Sequence, residues 1–254
     1  MIICFDTETT GLTEKDEIVQ LSIVNAETDD VLMNEYFRPS DELMLRGGEE
    51  AAAVPGITPE LVANCRRLTD PIVRGEVQSI INSAEVVIGY HVAYDVNMME
   101  HAGFDMSGCV YQDPMYGFAS YYWSTHPDEK HVTKRGKIMG PFMEWKDNGF
   151  GGKGQYINKS LGFAAGFFGI VDFGAHDSMN DVNATISVWK HMIAKHNESI
   201  ERARELGEET DSLVGHGSIA PFIDELGSAM VTPLGNAFSY MPFYTRRQLA
   251  VLDA

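Results

Sequence analysis

The chain has 254 residues, with 19 Lys and Arg against 37 Asp and Glu, so its formal net charge is −18 and its isoelectric point is about 4.7. This acidity argues against a protein that coats DNA or RNA nonspecifically. Apolar residues at 44% and charged residues at 22% are ordinary globular values, which exclude a disordered acidic tail, a collagen-like chain and a coiled coil. The length suits one large domain, or one domain with an extension.

The chain has no apolar run near the roughly 18 residues that a membrane span requires. No basic segment precedes Asp6, so no export signal is expected and we predict a cytoplasmic protein without a membrane partner. Its three cysteines, Cys4, Cys65 and Cys109, are odd in number and widely spaced. They are therefore expected to act as small apolar residues in a reducing compartment.

Short β-branched and apolar runs near the start of the chain predict a three-stranded antiparallel meander. These runs are residues 2–6, 17–24 and 31–37. After them, helical and strand-like segments alternate, which predicts an α/β fold with helices packed on a sheet. The predicted helices are 59–82, with a break at Asp70–Pro71, 95–102, one that opens near 113, 157–168 and 179–195; the predicted strands are 84–89 and 108–111.

The segment 130–159 is unlike the rest of the chain, because it has seven Lys and Arg against two acids, a local charge of +5. Its basic residues are Lys130, Lys134, Arg135, Lys137, Lys146, Lys153 and Lys159. Aromatic residues lie within this basic insertion and just before it, at 121–123. Cations for phosphates and aromatic faces for bases are typical of single-strand binding, so we predict a lid or hairpin that guides a strand end; the alternative is a solvated loop whose aromatics pack on the core.

The end of the chain shows no reliable periodicity, and residues 193–254 are assigned to a C-terminal extension. Within it, Gln248 to Leu252 loosely resembles the peptide by which bacterial replication proteins dock on the sliding clamp. A polymerase or clamp contact through this extension is a hypothesis, with a disordered end as the alternative.

Asp6 and Glu8 lie two residues apart at the end of a predicted strand, so both carboxylates project from one face of the sheet. The two carboxylates of such a pair repel each other unless a cation lies between them. Hard oxygen ligands at this spacing suit Mg²⁺ or Mn²⁺. The pair alone is weak evidence, because surface strands often carry solvated acids.

Three motifs in a fixed order make the evidence specific. They are FDTETTGL at 5–12, GYHVAYD at 89–95 and HDSMND at 176–181. Together they resemble the motifs of the DnaQ-like, or DEDD, superfamily of 3'-to-5' exonucleases, in the DEDDh subgroup that has histidine as its last member. Position 178 is Ser where the family commonly has a small Ala, and Tyr90-His91 replaces the usual His-Asn.

The resemblance covers residues 1–192 and implies an exonuclease domain with a ribonuclease H-like mixed sheet flanked by helices. It implies hydrolysis of terminal phosphodiesters of a single-stranded 3' end to nucleoside 5'-monophosphates. Four acids, Asp6, Glu8, Asp95 and Asp181, would hold two Mg²⁺, with Mn²⁺ as a substitute, and His176 would act as the base. The residues predicted to contact substrate are Thr7, Thr10, Gly11, Leu12, Tyr94, Lys134, Arg135 and Lys137.

The residues also leave alternatives open. Taken singly, Asp6 is typical of a strand-end charge, Asp95 of a helix N-cap and His176 of a surface loop. Within the enzyme class, a DNA exonuclease, slightly favoured, competes with an RNA-trimming or oligoribonuclease-type enzyme. From another class, the rival is a non-catalytic scaffold that binds a nucleic-acid end or a replication partner. Retention of all five residues argues against the scaffold, which has no need for His176.

Overall fold

The computed structural model describes residues 1–13, 15–46, 57–126, 128–133, 135–140, 142–144, 154–171, 174, 177–205, 207 and 244–246. The chain divides into two compact units. The first comprises Met1–Tyr111 and Val171–Ile186, and the second comprises Gln112–Ile170 and Ser187–Ala254.

A mixed sheet forms the centre of the first unit. Its strands are β1 (Ile2–Thr9), β2 (Ile18–Asn25), β3 (Val31–Tyr36), β4 (Val86–Ile88) and β5 (Val110–Gln112). They lie in the order β5-β4-β1-β2-β3. Because β1 is antiparallel to β2 and parallel to β4, and β2 is antiparallel to β3, the predicted meander and the predicted mixed sheet are both confirmed.

Burial along the strands explains why they form the core of this unit. β2 is buried from Ile18 to Val24, so both faces of this strand are covered. β1 is buried from Ile2 to Phe5 and then becomes partly exposed at alternate residues. A continuously buried, β-branched run is typical of a strand in the middle of a sheet. The change along β1 therefore places its polar end at the border of the core.

Helices occupy most of the segments that the sequence pattern predicts. They are α1 (Asp41–Arg46), α2 (Pro59–Val62), α3 (Pro71–Asn82), α4 (Val92–His101), α5 (Pro114–Thr125), α6 (Leu161–Phe167) and α7 (Ser178–Glu205). The predicted break at Asp70–Pro71 is the start of α3, where the Asp70 side chain accepts a hydrogen bond from the backbone N–H of Ile72. The differences are that α1 was not expected, that α2 ends at Val62, well before the predicted break at 70, and that α7 continues ten residues beyond the predicted end at 195.

The start of α4 differs from the prediction in a way that matters for the site. The helix begins at Val92, so Asp95 lies inside its first turn and is not its first residue. The reason is the tight turn after β4, in which His91 adopts a left-handed φ of 67°. At Gly89 the chain also passes so close to Val92 that a Cβ would lie 2.8 Å from its side chain.

The second unit contains α5, α6, the later part of α7 and short strands. The strands are β6 (His131–Val132), β7 (Ile138–Met139), β8 (Phe142–Glu144), β9 (Gly154–Tyr156) and β10 (Tyr244–Thr245). β6 pairs with β7 and β8 pairs with β9, both antiparallel. The predicted basic insertion therefore contains two small hairpins, and the exposed Arg135 and Lys137 lie in or beside the turn of the first.

Aromatic rings of the second unit enclose the last cation of the basic insertion. The Lys159 ammonium lies 4.2 Å from the ring centre of Tyr122, 4.1 Å from that of Trp123 and 4.6 Å from that of Phe163. We call these four residues the Lys159 cluster. Tyr122 and Trp123 are buried, and the Trp123 indole donates to the carbonyl of Ile157 at 2.8 Å. These two aromatic side chains belong to the core of their unit, so their rings are not accessible for stacking with nucleic-acid bases.

Among the helices that the structure describes, none combines the length and the apolar character needed to cross a membrane.

Candidate active site

The site begins where β1 extends beyond its parallel neighbour. β4 ends at Ile88, which pairs with Cys4, whereas β1 continues to Thr9. Past this point, no strand among the described residues pairs with β1 on the β4 side. The thiol of Cys4, two residues before Asp6, lies 3.9 Å from the carbonyl of Val182 in α7. Because side chains alternate along a strand, Cys4, Asp6 and Glu8 share one face.

Asp95 fills the gap beside the end of β1. Its Oδ1 accepts hydrogen bonds from the backbone N–H of Thr7 at 3.0 Å and from the Thr7 hydroxyl at 2.6 Å. The N–H of Thr7 points away from β2, towards the side that β4 has left, so a side-chain acceptor is required there. Thr7, predicted to contact substrate, is buried, and its hydroxyl and N–H are hydrogen-bonded to Asp95. Placement of Asp95 in the first turn of α4 allows it to reach β1.

Three of the four predicted metal ligands come together. Asp6 and Glu8 from β1 and Asp181 from the first turn of α7 each present a carboxylate oxygen, and these oxygens lie within 4.8 Å of one another. All three side chains are partly buried. We call these three residues the carboxylate cluster. Asp95 lies near enough for its charge to act on Asp6.

The carboxylate cluster is electrostatically unfavourable without a cation. Burial, followed by the charges of Asp95 and Asp181, raises the pKa of Asp6 well above its ordinary value. Burial and the charge of Asp181 likewise raise the pKa of Glu8 from 4.5 to about 7. In the described part of the chain, neither Asp6 nor Glu8 forms an ion pair with Lys or Arg. The repulsion that raises these pKa values is the repulsion that a bound cation would relieve.

The donor set fits a divalent metal ion. It consists of carboxylate oxygens from β1 and α7, which converge at partly buried positions. Oxygen ligands of this kind suit hard cations such as Mg²⁺ and Mn²⁺ better than soft ones.

The turn after β1 is held by side chains from two directions. The Tyr94 hydroxyl donates to the carbonyl of Gly11 at 3.0 Å and lies 2.8 Å from the hydroxyl of Thr9. On the other side, the Asp16 carboxylate accepts from the Thr10 hydroxyl at 3.0 Å. A Cβ at Gly11 would lie 2.6 Å from Asp16 Oδ1, so a side chain at this position would have to displace the Asp16 carboxylate from the turn.

Leu12 follows in this turn with 85% of its side chain exposed. Of the residues predicted to contact substrate here, Leu12 is thus presented to solvent, while Thr10 and Tyr94 have their hydroxyls engaged within the protein. Asp16, which braces the turn, was not predicted. Its signal in the sequence is a carboxylate that follows a Thr-Gly turn by five residues.

A fifth acid, Asp177, was also missed. Its carboxylate accepts from the backbone N–H of Asn180 at 3.3 Å, from the Tyr36 hydroxyl at 3.4 Å and from the Gln20 amide at 3.4 Å. Its charge adds to those that raise the pKa of Glu8, and after burial it is the main cause that raises the pKa of Tyr36. The sequence signal is an acid immediately before the first residue of α7, Ser178, which is the position of an N-cap.

Three of the predicted site features lie outside the described residues: His176, Lys134 and the clamp-like peptide at 248–252. Arg135 and Lys137 belong to the second unit and are exposed.

A family model described as "Exonuclease" (RNase T) matches residues 3–189. No curated protein sequence matches the chain closely enough to be counted as a relative.

Solved structures provide a likeness of fold. Escherichia coli exonuclease I, in its zinc-ion form with single-stranded DNA, is 17% identical with a TM-score of 0.52, and the match covers 83% of this chain and 46% of that chain. The same enzyme with a dA13 oligonucleotide is 16% identical with a TM-score of 0.50, covering 80% and 43%. The nuclease domain of 3'hExo, described as a DEDDh family member bound to rAMP, is 13% identical with a TM-score of 0.46, covering 76% and 92%.

The chain spans less than half the length of the exonuclease I chains that it matches. The likeness confirms the predicted ribonuclease H-like fold of a mixed sheet flanked by helices. All three acidic motifs lie within residues 3–189. The chain therefore belongs to the RNase T-type exonuclease family, in agreement with the DnaQ-like resemblance of its motifs.

Proposed function

We propose that the protein is a metal-dependent 3'-to-5' exonuclease that releases nucleoside 5'-monophosphates from single-stranded nucleic acid, with DNA slightly favoured over RNA. The observation that carries the proposal is the carboxylate cluster, in which oxygens of Asp6, Glu8 and Asp181 lie within 4.8 Å of one another in a chain of the exonuclease family. Acids that raise one another's pKa values at one end of a sheet are typical of a catalytic centre.

Asp6, Glu8, Asp95 and Asp181 would hold two Mg²⁺, for which Mn²⁺ could substitute. Such ions, when bound, supply charge stabilisation for an in-line phosphoryl displacement and promote ionisation of water. The Thr7 hydroxyl and N–H keep one oxygen of Asp95 in place.

His176 would accept the proton of the attacking water. In that step the water oxygen bonds to phosphorus, and the bond from phosphorus to the 3' oxygen of the preceding nucleotide breaks. The leaving oxygen takes up a proton from solvent, and the released product carries a 5'-phosphate. The imidazole must be neutral to accept a proton, so the rate should rise with pH through the pKa of His176.

Leu12 would contact the terminal nucleotide, because it is exposed on the turn that follows β1 and lies only four residues after Glu8 in the chain. In this proposal Tyr94 and Asp16 hold the turn, while Gly11 allows its close packing. The exposed cations Arg135 and Lys137 would contact phosphates of the same strand, as the predicted lid requires. We retain the prediction of a cytoplasmic enzyme, and a contact with a polymerase or clamp stays a hypothesis.

The proposal is tested with single-stranded DNA and RNA of one sequence, each labelled at the 5' end, in Mg²⁺ or Mn²⁺. A ladder that shortens from the 3' end, and that is absent in Asp6→Asn, is expected. Asp30→Asn is the matched control, since Asp30 is an exposed acid in the turn before β3 and should leave the rate unchanged.

The same assay separates the alternatives. Faster cleavage of RNA, especially of oligomers of a few nucleotides, would favour the oligoribonuclease-type enzyme. Binding of a 3' end without cleavage of either polymer would support the scaffold and overturn the proposal.

A further inference from the structure

Two buried polar residues of β2 lie directly opposite the two acids of β1. In the antiparallel register Ser22 pairs with Asp6, and Gln20 pairs with Glu8. Cross-strand partners project from the same face of a sheet. Ser22 is 0% exposed and Gln20 is 1% exposed. Polar side chains this deeply buried must be hydrogen-bonded, and their partners show what they hold.

Both residues bond to the start of α7. The hydroxyls of Ser22 and Ser178 lie 2.6 Å apart. Gln20 accepts from the backbone N–H of Ser178 and donates to Asp177 Oδ2, each at 3.4 Å. In the same turn, the backbone N–H of Asp181 donates to the carbonyl of Asp177 at 3.0 Å. The turn that carries Asp181 is therefore fastened to the two positions that face Asp6 and Glu8.

The direction of the hydrogen bond between the Ser22 and Ser178 hydroxyls follows from a third residue, Asn34. The Ser22 hydroxyl donates to Asn34 Oδ1 at 3.1 Å. A serine hydroxyl has one proton to donate, so Ser22 must accept the proton of Ser178. The result is a directed chain from α7 through β2 to Asn34 on β3, the strand partner of Ser22. Consecutive bonds of this kind polarise and strengthen one another.

This arrangement opposes the repulsion within the carboxylate cluster. Like charges on β1 and α7 favour separation of the two elements when no cation is bound. The bonds from Ser22 and Gln20 keep the first turn of α7 on the sheet. The carboxyl end of a side chain moves with its backbone, so a small shift of this turn would carry Asp181 out of the cluster.

We infer that Ser22, Gln20 and Ser178 are positioning residues, which hold Asp181 within metal-ligating distance of Asp6 and Glu8. The inference concerns metal affinity first, and it rests on the proposed function only where catalysis is the readout.

The test is Ser178→Ala in the full chain, with Mn²⁺ affinity measured by electron paramagnetic resonance of the free ion. Loss of one buried hydrogen bond should weaken Mn²⁺ binding roughly three- to tenfold. We expect kcat to fall by a similar factor at subsaturating metal, while KM for the oligonucleotide stays unchanged. Gln20→Met, which keeps the side-chain volume, should change Mn²⁺ affinity in the same direction.

Ser120→Ala is the matched control, because Ser120 is a buried serine of α5 in the second unit. It should change the melting temperature without changing Mn²⁺ affinity. The double variant Ser22→Ala/Ser178→Ala should bind Mn²⁺ nearly as well as Ser22→Ala alone, because Ser22→Ala has already removed the hydrogen bond that Ser178 makes to Ser22.

Unchanged Mn²⁺ affinity in Ser178→Ala and Gln20→Met, within twofold, would overturn the inference, as would full additivity of the two serine changes. Failure of the proposed function is distinguishable from this result. A wild-type protein that binds Mn²⁺ but cleaves no polymer would refute the exonuclease proposal while the affinities still decide the role of the serines.

Discussion

The carboxylate cluster of the first unit and the Lys159 cluster of the second unit both remove charge from water, but they compensate it differently. The Lys159 ammonium lies within 4.6 Å of three ring centres, which are permanent parts of the fold. Asp6, Glu8 and Asp181 have one another as close neighbours. A charge with built-in compensation contributes to stability, whereas like charges held together store repulsion that a ligand must relieve.

Burial lowers the pKa of Lys159 and raises those of Asp6 and Glu8, so it favours the neutral form in both clusters, and the contrast lies in the neighbouring charges. Glu129 opposes the effect of burial on the pKa of Lys159, whereas nearby acids add to the effect of burial on the pKa values of Asp6 and Glu8. Changes in the carboxylate cluster should therefore affect activity and metal response, and changes in the Lys159 cluster should affect stability.

Asp6→Asn should have the largest effect. We expect a loss of activity of roughly a thousandfold or more, because metal ions contribute several kcal/mol to the transition state of such reactions. The metal-free variant should melt at a higher temperature than wild type, because one repelling charge is gone. Calorimetry with and without Mg²⁺ measures both effects; a metal-free variant that is less stable than wild type would contradict the stored repulsion.

Metal-free protein should lose stability as pH rises from about 5 to about 8. The folded protein holds the Glu8 proton up to a pKa of about 7, whereas an ordinary carboxyl with a pKa of 4.5 has lost it. The folded state thus binds more protons in this window, and its stability falls as pH rises through the folded pKa.

This pH effect has two controls. Mg²⁺ should raise the melting temperature more at pH 8 than at pH 5, since protonation competes with metal binding. Glu8→Gln should flatten the profile measured in a chelator. Equal slopes for Glu8→Gln and wild type would show that other groups cause the pH dependence.

Lys159→Ala should reduce the free energy of unfolding by about 1–2 kcal/mol, through loss of its ring contacts and of its packed aliphatic stem. Activity per folded molecule should stay the same. Lys195→Ala is the matched control, because Lys195 forms an exposed ion pair with Glu198 and should change stability by less than about 0.5 kcal/mol. Chemical denaturation of the three proteins provides the comparison.

Replacing Arg135 and Lys137 by Ala should have the smallest effect on stability, because both side chains are exposed. If both contact phosphates, the slope of log affinity against log salt for a single strand should decrease by about 0.7 for each lost contact. Fluorescence anisotropy at several salt concentrations measures this slope. An unchanged slope would mean that the basic hairpin does not bind the strand, and would leave the segment as a solvated loop.

The parts of the site that the sequence predicted are those with a local signal. Asp6 and Glu8 share a face because successive side chains of a strand point to opposite faces. The second and third motifs identify Asp95 and Asp181 as the other two predicted metal ligands. Their meeting is visible in the structure for Asp6, Glu8 and Asp181. The catalytic role of His176 stays a prediction.

Contacts that depend on register were not predicted. The pairing of Ser22 with Ser178 needs both the β1–β2 alignment and the docking of α7, and neither can be derived from a short stretch of sequence. A signal was nevertheless present, because Gln20 and Ser22 interrupt an otherwise apolar buried strand at alternate positions. The start of α4 at Val92 was not predicted, because the helix propensities of the residues do not indicate the left-handed backbone conformation of His91.

The turn after β1 leads to a consequence for mutational tolerance. At Gly11 the space for a side chain is occupied by the Asp16 carboxylate, so a replacement has to displace that carboxylate from its hydrogen bonds to Thr10 and Thr13 and should be depleted in a library selected for correct folding. At the next position Leu12 is largely surrounded by solvent, so its replacements should survive that selection. A second selection, for nuclease activity, should then remove variants of Leu12 as well, and two adjacent positions would report separately on folding and on substrate binding.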